Sequence, residues 1–287
     1  MVGIKIDGIQ IAQTVKDRVR KAVGELKKQG ISPCLATVLV GDNQASATYV
    51  KNKHKACEEV EIITKDFKLA SDITQSELNK IIDELNKDRA VHGILVQLPL
   101  PIQLDEFTTT SRISPLKDVD GLTPYNVGLL AMKKAALVAC TPLGVMEMFD
   151  YQNIELERKN IVLINRSNLV GKPLYHLLLA RDATVITCHS KTRNIKELCQ
   201  LADIIITAVG DRSKFTLTPD MIKKDAIVID VAISKYKEKL VGDTDYDQII
   251  QKASYATPVP GGVGPMTVAM LLKNTITAAS LSSQIER

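Results

Sequence analysis

Apolar residues along the chain follow two alternating patterns. Short, nearly continuous runs recur at Cys34 to Val40, Gly93 to Val96, Ile161 to Ile164, Thr184 to Thr187, Asp203 to Ile206 and Ala226 to Ile229. Such runs are typical of strands buried on both faces of a parallel sheet. A further strand is expected at Ile62 to Leu69. Between these runs the apolar positions repeat with helical period. Ile9, Ile11, Val15, Val19, Val23 and Leu26 mark one face of a first helix, which Gly30 ends. Leu78, Ile81, Ile82 and Leu85 share a face of a helix over about Thr74 to Lys87. Further helices are expected near Tyr125 to Lys133, Pro142 to Tyr151, through Leu177 and Leu179, and from Met266 to Ala279. Strands alternating with helices predict an α/β protein, and the later strands complete a doubly wound sheet.

The stretch Ser46 to Cys57 contains no Gly or Pro and reads as helix, opened by the turn-like Gly41-Asp42-Asn43. On it Tyr49, Lys53 and Cys57 share one face at i, i+4 and i+8, with Ala56 and Val60 alongside. Lys51 and Lys55 point elsewhere, toward solvent. An amine beside an aromatic ring and small apolar residues is partly desolvated, which suits proton exchange near neutrality. From spacing alone, a surface lysine whose stem covers apolar area is the commoner outcome.

Four further segments carry candidate chemistry. Gln97 ends the run Gly93 to Val96, just before two prolines that must leave the sheet. Ligands bind at such strand ends in open α/β sheets, and a Gln that only satisfies a neighbouring loop fits equally. Lys117-Asp-Val-Asp120-Gly121 holds two carboxylates at i, i+2; they serve either the turn or the N–H groups of a basic heterocycle. Asn165-Arg166-Ser167 follows a strand and precedes a helix opening at Gly171, the arrangement that seats a phosphate on helix N–H groups. Only one glycine is present there, so the GxGxxG fingerprint is absent. Cys188-His189-Ser190-Lys191-Thr-Arg193 follows the next strand without an acid, which favours a 2′-phosphate, hence NADP over NAD; a merely solvated basic loop is the alternative. Finally, Thr257 to Pro265 packs three glycines and three prolines into nine residues. That makes a rigid loop, poor in side chains, which a flat ligand or phosphate can approach, or else an interdomain hinge.

Composition narrows the class. At 287 residues, with 45% hydrophobic and 24% charged, the chain has room for a full core and two domains. The net charge of +4 is small for this length and does not argue for nucleic acid. No apolar run approaches the roughly 18 residues of a membrane span, and the N-terminus lacks an apolar stretch long enough for a secretory signal. Cys34, Cys57, Cys140, Cys188 and Cys199 are odd in number and lack CxxC spacing, which predicts reduced thiols in a cytoplasm. His54 and Cys57 lack a third ligand, and no metal is expected.

Over nearly its whole length the chain resembles the bifunctional methylenetetrahydrofolate dehydrogenase/methenyltetrahydrofolate cyclohydrolases. The resemblance rests on Tyr49-Val-x-x-Lys53-x-Lys-Ala-Cys57, Gly93-Ile-Leu-Val-Gln97-Leu-Pro-Leu-Pro101, Lys117-Asp-Val-Asp120-Gly121, Arg166-Ser167-x-x-Val170-Gly171-x-Pro173 and Thr257-Pro-Val-Pro-Gly-Gly-Val-Gly-Pro-Met-Thr267. It implies two α/β domains, the second a doubly wound Rossmann-like parallel sheet, with a folate cleft between them. The folate-binding catalytic domain would span 1–122 and the NADP-binding domain 123–287, the last helix, about 266–280, packing back toward the first. It also implies a homodimer. By motif, Tyr49 stacks on the folate, Lys53 is the catalytic amine, Gln97 orients it and Asp120 holds the pterin. Asn165, Arg166 and Ser167 lie at the cofactor phosphates, with Ser190, Lys191 and Ile233 in neighbouring loops. Gly261, Gly262 and Pro265 border the folate.

Four departures from the family pattern stand out: Leu122-Thr123 for a frequent Phe-His, Asn165 for Gly, Ala232 for Gly, and Thr244 for Val. None removes a group the chemistry needs. The competing readings are a monofunctional dehydrogenase of the same fold and a folate- or nucleotide-binding protein without catalysis. Intact Lys53, Gln97 and Asp120 speak against both.

Overall fold

The computed structural model describes residues 2–236 and 238–285. In chain order it begins with β1 (Ile4–Lys5), α1 (Gly8–Lys28), β2 (Cys34–Val40) and α2 (Gln44–Glu59). Next come β3 (Ile63–Leu69), α3 (Gln75–Lys87), β4 (Gly93–Val96), α4 (Glu106–Ser111), α5 (Pro124–Ala131) and α6 (Cys140–Tyr151). They are followed by β5 (Asn160–Ile164), α7 (Gly171–Leu179), β6 (Thr184–Cys188), α8 (Ile195–Leu201), β7 (Ile204–Thr207) and β8 (Ile227–Asp230). The antiparallel pair β9 (Ser234–Tyr236) and β10 (Lys239–Val241), then α9 (Tyr246–Ile249), β11 (Tyr255–Ala256) and α10 (Val263–Ile285) complete the order. The chain forms two compact units, one of Thr14–Cys140 with Val268–Arg287, the other of Met1–Gln13 with Thr141–Thr267.

The unit built on Thr14–Cys140 holds a three-stranded parallel sheet in the order β3-β2-β4. All seven residues of the central β2 are buried. One of its faces, Cys34, Ala36, Val38 and Val40, packs with Leu78, Ile82 and Leu85 of α3 and with Ile94 and Val96. The helices start where local chemistry provides caps. Asn43 accepts from the Ser46 N–H at 3.0 Å to open α2. Thr74 and Glu77 exchange bonds in a capping box that opens α3.

The other unit holds a six-stranded, all-parallel sheet in the order β1-β11-β8-β7-β5-β6. The chain runs outward from β5 to β6, then returns to lay β7 on β5's other side. That reversal is the doubly wound switch point, where loops at the carboxyl ends of the strands splay apart and leave a crevice.

The apolar pattern located the long elements, with small differences. β7 and β8 each begin one residue later than their apolar runs, because Asp203 and Ala226 lie before the ladder. Helix α10 begins at Val263 rather than Met266, so Gly264 and Pro265 form its first turn, where proline's missing N–H is tolerated. Ile9, expected on the buried face of α1, is 62% exposed, because at the helical repeat it lies to one side of the face that buries Ile11, Val15, Val19, Val23 and Leu26. Strands β1 and β11, of two residues each, and the β9–β10 pair are too short to carry a periodic signal.

Candidate active site

Successive turns of α2 present Tyr49, Lys53 and Cys57. Cys57 is fully buried, Lys53 half-buried and Tyr49 51% exposed. The stripe thus runs from core to surface, with the amine at the boundary. Lys51 and Lys55 are exposed, as their positions on the helix predicted.

β4 ends at Val96, but the Gln97 N–H still bonds Val38 O at 2.9 Å, so Gln97 is held like one more rung of the sheet. Its Nε2 donates to Leu98 O at 2.7 Å, which fixes the amide's orientation and leaves Oε1 as the acceptor. Lys53 Nζ donates to that Oε1 at 3.0 Å. The amine is therefore aimed by a neutral group, which fixes its position.

The two carboxylates of the Asp118/Asp120 pair have separate tasks. Asp118 is buried and accepts from Leu122 N at 3.1 Å, Thr123 N at 2.8 Å and Asn126 Nδ2 at 2.9 Å, so it builds the turn. Asp120 has the Cys140 thiol near its Oδ1, at 3.6 Å. Enclosure by protein pushes its carboxyl above the usual carboxylate range; the Lys53 ammonium pulls it back, and the negative Asp118 adds to the rise. Amine, amide and carboxylate thus act on one another within this unit. Gly121 makes the turn possible: its φ is +63°, and a Cβ there would lie 2.4 Å from Val138 C.

Two supports of this loop carry no local sequence signal. Asn274 of α10 donates through Nδ2 to Val119 O at 2.7 Å and Val138 O at 2.8 Å. Cys140 Sγ bonds Val119 O at 3.3 Å. Both side chains are buried.

In the other unit, the candidate phosphate residues gather at the switch point. Asn165 Oδ1 accepts from Ser167 N at 2.7 Å and Gly171 N at 3.0 Å, while its Nδ2 donates to Ala208 O at 2.6 Å. The side chain at this departure from the family pattern is thus committed to shaping the loop and tying β5's end to β7's. A Cβ at Gly171 would lie 2.4 Å from Asn165 O, so the helix start can approach the strand end this closely only with glycine. Arg166, Gly171, Lys172, Tyr175, His176 and Thr187 line a cavity of about 240 Å³. Sequence reasoning passed over Tyr175 and His176, whose rings meet edge to face at 5.4 Å. Ser190 and Lys191 are exposed on the loop after β6, outside that lining.

Ile233, Gly261, Gly262 and Pro265 come together in a second cavity, of about 280 Å³, with Asp230 and Ala232 at its wall. Its lining is mostly backbone, proline and aliphatic carbon, a surface suited to a flat ring. Gly261 has φ +99°, and the Gly8 N–H donates to its carbonyl at 3.0 Å. Among the described residues, no group of three or more His, Cys, Asp and Glu side chains is placed to hold a metal ion, and the five cysteines are buried and form no disulfide.

The tetrahydrofolate dehydrogenase/cyclohydrolase catalytic-domain model matches residues 6–120, and the NAD(P)-binding-domain model of the same name matches residues 139–283. The bifunctional protein FolD of Nitrosopumilus maritimus is 81% identical over 285 residues, covering 99% of this chain and 99% of that protein. FolD of Cenarchaeum symbiosum is 62% identical over 282 residues, covering 98% of this chain and 100% of the relative. Among solved structures, the Campylobacter jejuni bifunctional enzyme FolD superimposes with a TM-score of 0.93 at 46% identity, over 96% of this chain and 98% of that one. The Trypanosoma brucei dehydrogenase-cyclohydrolase complexed with NADP cofactor and inhibitor gives 0.93 at 36% identity, over 99% of both chains.

Proposed function

Because the chain belongs to the tetrahydrofolate dehydrogenase/cyclohydrolase family, we propose that its two reactions share one folate, held against Tyr49, Lys53, Gln97 and Asp120. The enzyme oxidises 5,10-methylenetetrahydrofolate to the methenyl compound with NADP and hydrolyses that product to 10-formyltetrahydrofolate. The Lys53–Gln97 pair beside Asp120 carries the reading of the site.

Tyr49 offers an exposed ring for stacking on the folate. Asp120 accepts two parallel N–H bonds from the aminopyrimidinone edge of the pterin, which a carboxylate matches in shape and charge. NADP, when bound, supplies the hydride acceptor. The residues on the second unit's sheet edge fit it. Arg166, Ser167, Ser190 and Lys191 offer positive charge and donors to phosphates, with Asn165 shaping their loop. Ile233, Gly261, Gly262 and Pro265 accept a flat ring.

Loss of hydride from the one-carbon bridge leaves an amidinium-like cation, and this step needs positioning rather than proton transfer. Hydrolysis needs more. A water oxygen bonds to the bridge carbon while Lys53, acting as the free amine, accepts a water proton. The carbon–nitrogen bond to N5 then breaks, N5 takes up a proton, the new hydroxyl becomes the formyl carbonyl, and one proton is released overall. Gln97 keeps Nζ pointed at the carbon through both proton movements.

The test is Lys53→Met, which keeps much of the stem volume. Cyclohydrolase activity is expected to fall by about 10²- to 10⁴-fold, the usual worth of a general acid/base, while the dehydrogenase loses far less on the same folded preparation. Equal losses would reduce Lys53 to a binding residue. The enzyme is further proposed to act in the cytoplasm as a homodimer, which sedimentation equilibrium of the purified chain checks.

A further inference from the structure

Two carboxylates that the chemistry above does not use lie buried at the carboxyl edge of the six-stranded sheet. Asp230 ends β8, and its Oδ1 accepts from Ala232 N and Asp243 N, each at 3.1 Å. Its Oδ2 accepts from Thr244 N at 2.8 Å and from the Thr244 hydroxyl at 2.7 Å. Asp243 in turn binds the end of β7: its Oδ2 accepts from Thr207 Oγ1 and Val209 N, both at 2.6 Å, and its Oδ1 from Gly210 N at 3.0 Å. Gly242 permits this approach, since a Cβ there would lie 2.1 Å from Asp230 Oδ2. The Asp230 N–H donates to Thr257 Oγ1 at 2.7 Å, which ties in the loop that leads to Gly261.

Seven donors thus converge on two side chains, and five of the seven are backbone N–H groups of loops at one sheet edge. We propose that Asp230 and Asp243 are positioning residues for the dinucleotide, holding Val209–Gly210 and Val231–Ile233 in receiving shape only while Asp230 is ionised. This rests on the reading that NADP lies along this edge. An ionised carboxylate can accept all four of its bonds, whereas a protonated one must turn an O–H toward donors whose directions the backbone fixes.

The surroundings put that change within reach. Burial raises the Asp230 carboxyl to about 6; the Thr244 hydroxyl and the Asp243 N–H oppose the rise, and the charge of Asp243 adds to it. Arg212 approaches the same segment, its Nη2 donating to Thr244 O at 3.1 Å, and Asp245 follows Thr244 in the chain. The segments 207–210, 231–233 and 257–262 bring no ionisable side chain. Thr244 is therefore the adjustable member. Its hydroxyl bonds a carboxylate about twice as strongly as a neutral acid, so removing it favours protonation.

The experiment is calorimetric titration of NADP into the full chain from pH 5 to 8, without folate, for the wild type, Thr244→Val and Thr244→Ser. Wild-type affinity is expected to fall several-fold as pH drops through about 6. The Val variant should shift the midpoint upward by roughly one pH unit, and Ser should restore it. The 2′-phosphate of NADP titrates in the same range, so the displacement between proteins is the reading that counts. Superimposed profiles overturn the proposal, as does a loss in Thr244→Val that is equal at every pH and that Ser does not rescue. Failure of the wild type to bind NADP even at pH 8 would instead defeat the cofactor reading itself, and the positioning role with it.

Discussion

Replacing Asn274 with Leu is expected to lower stability and loosen the folate site at once. The amide is 2% exposed and satisfies two buried carbonyls, Val119 O and Val138 O. Leu has similar bulk, so the main effect is loss of the donor. A buried acceptor left unpaired costs about 1–3 kcal/mol. Val119 O retains the Cys140 thiol at 3.3 Å, a weak donor, so its share sits at the low end. The net loss is then about 2–4 kcal/mol, which at about 2–4 °C per kcal/mol lowers the melting temperature by about 5–15 °C. Asp120 follows Val119 directly, so the KM for folate should rise in both reactions, with kcat less affected. Differential scanning fluorimetry and steady-state assays on one preparation measure both. Asn274→Asp sharpens the test: an anion facing two carbonyl oxygens should be worse than Leu. If Leu leaves the melting temperature within about 2 °C, or if Asp is the better tolerated, the donor argument fails.

Arg166→Ala should weaken NADP more than NAD if, as we propose, its guanidinium, which shares a cavity with Lys172, meets the 2′-phosphate; equal losses in paired initial rates would move Arg166 to the shared pyrophosphate. Burial pushes the thiols of Cys57 and Cys199 up to about 12, so iodoacetamide at pH 8 should label neither in the native protein and both after denaturation, read by peptide mass. Asp230, raised from 3.8 to about 6, favours the folded state in its protonated form. That contribution, about 3 kcal/mol at full size, is present below the unfolded carboxylate value and lost as pH rises through about 6. Urea melts of wild type and Asp230→Asn between pH 4 and 7 should therefore differ in slope; parallel profiles would show that the carboxyl titrates elsewhere.

The long elements and the Lys53 cluster were legible because each depends on spacing within one segment. Tyr49, Lys53 and Cys57 lie on successive turns of one helix, and Gln97 sits where an apolar run meets proline. What the sequence concealed depends on pairings across long stretches of chain. Asn274 acts on a carbonyl 155 residues away, and nothing around it distinguishes it from a polar residue on a helix surface. Asp230 and Asp243 read as a strand-end acid and a loop acid until β8 and β7 align. Asn165 invited assignment to a cofactor, yet both ends of its side chain serve the loop. Two-residue strands such as β1 exist only because β11 offers a ladder to join.

The division of the chain into units that each draw on two separate segments bears on how the protein is made. The unit holding Lys53 is mostly synthesised first, but it also includes residues from Val268 onward, Asn274 among them, which leave the ribosome only after Thr141–Thr267 of the other unit. Its partner needs Met1–Gln13, made before Thr14–Cys140, and then Thr141–Thr267. The early-made half must therefore wait, with the Asp120 turn lacking its amide, until the whole of Thr141–Thr267 has been made. Domains that emerge contiguously can fold one after another during synthesis; here the first-born unit is the last to be finished, and nascent chains stalled before residue 268 should present a folate site without its final support.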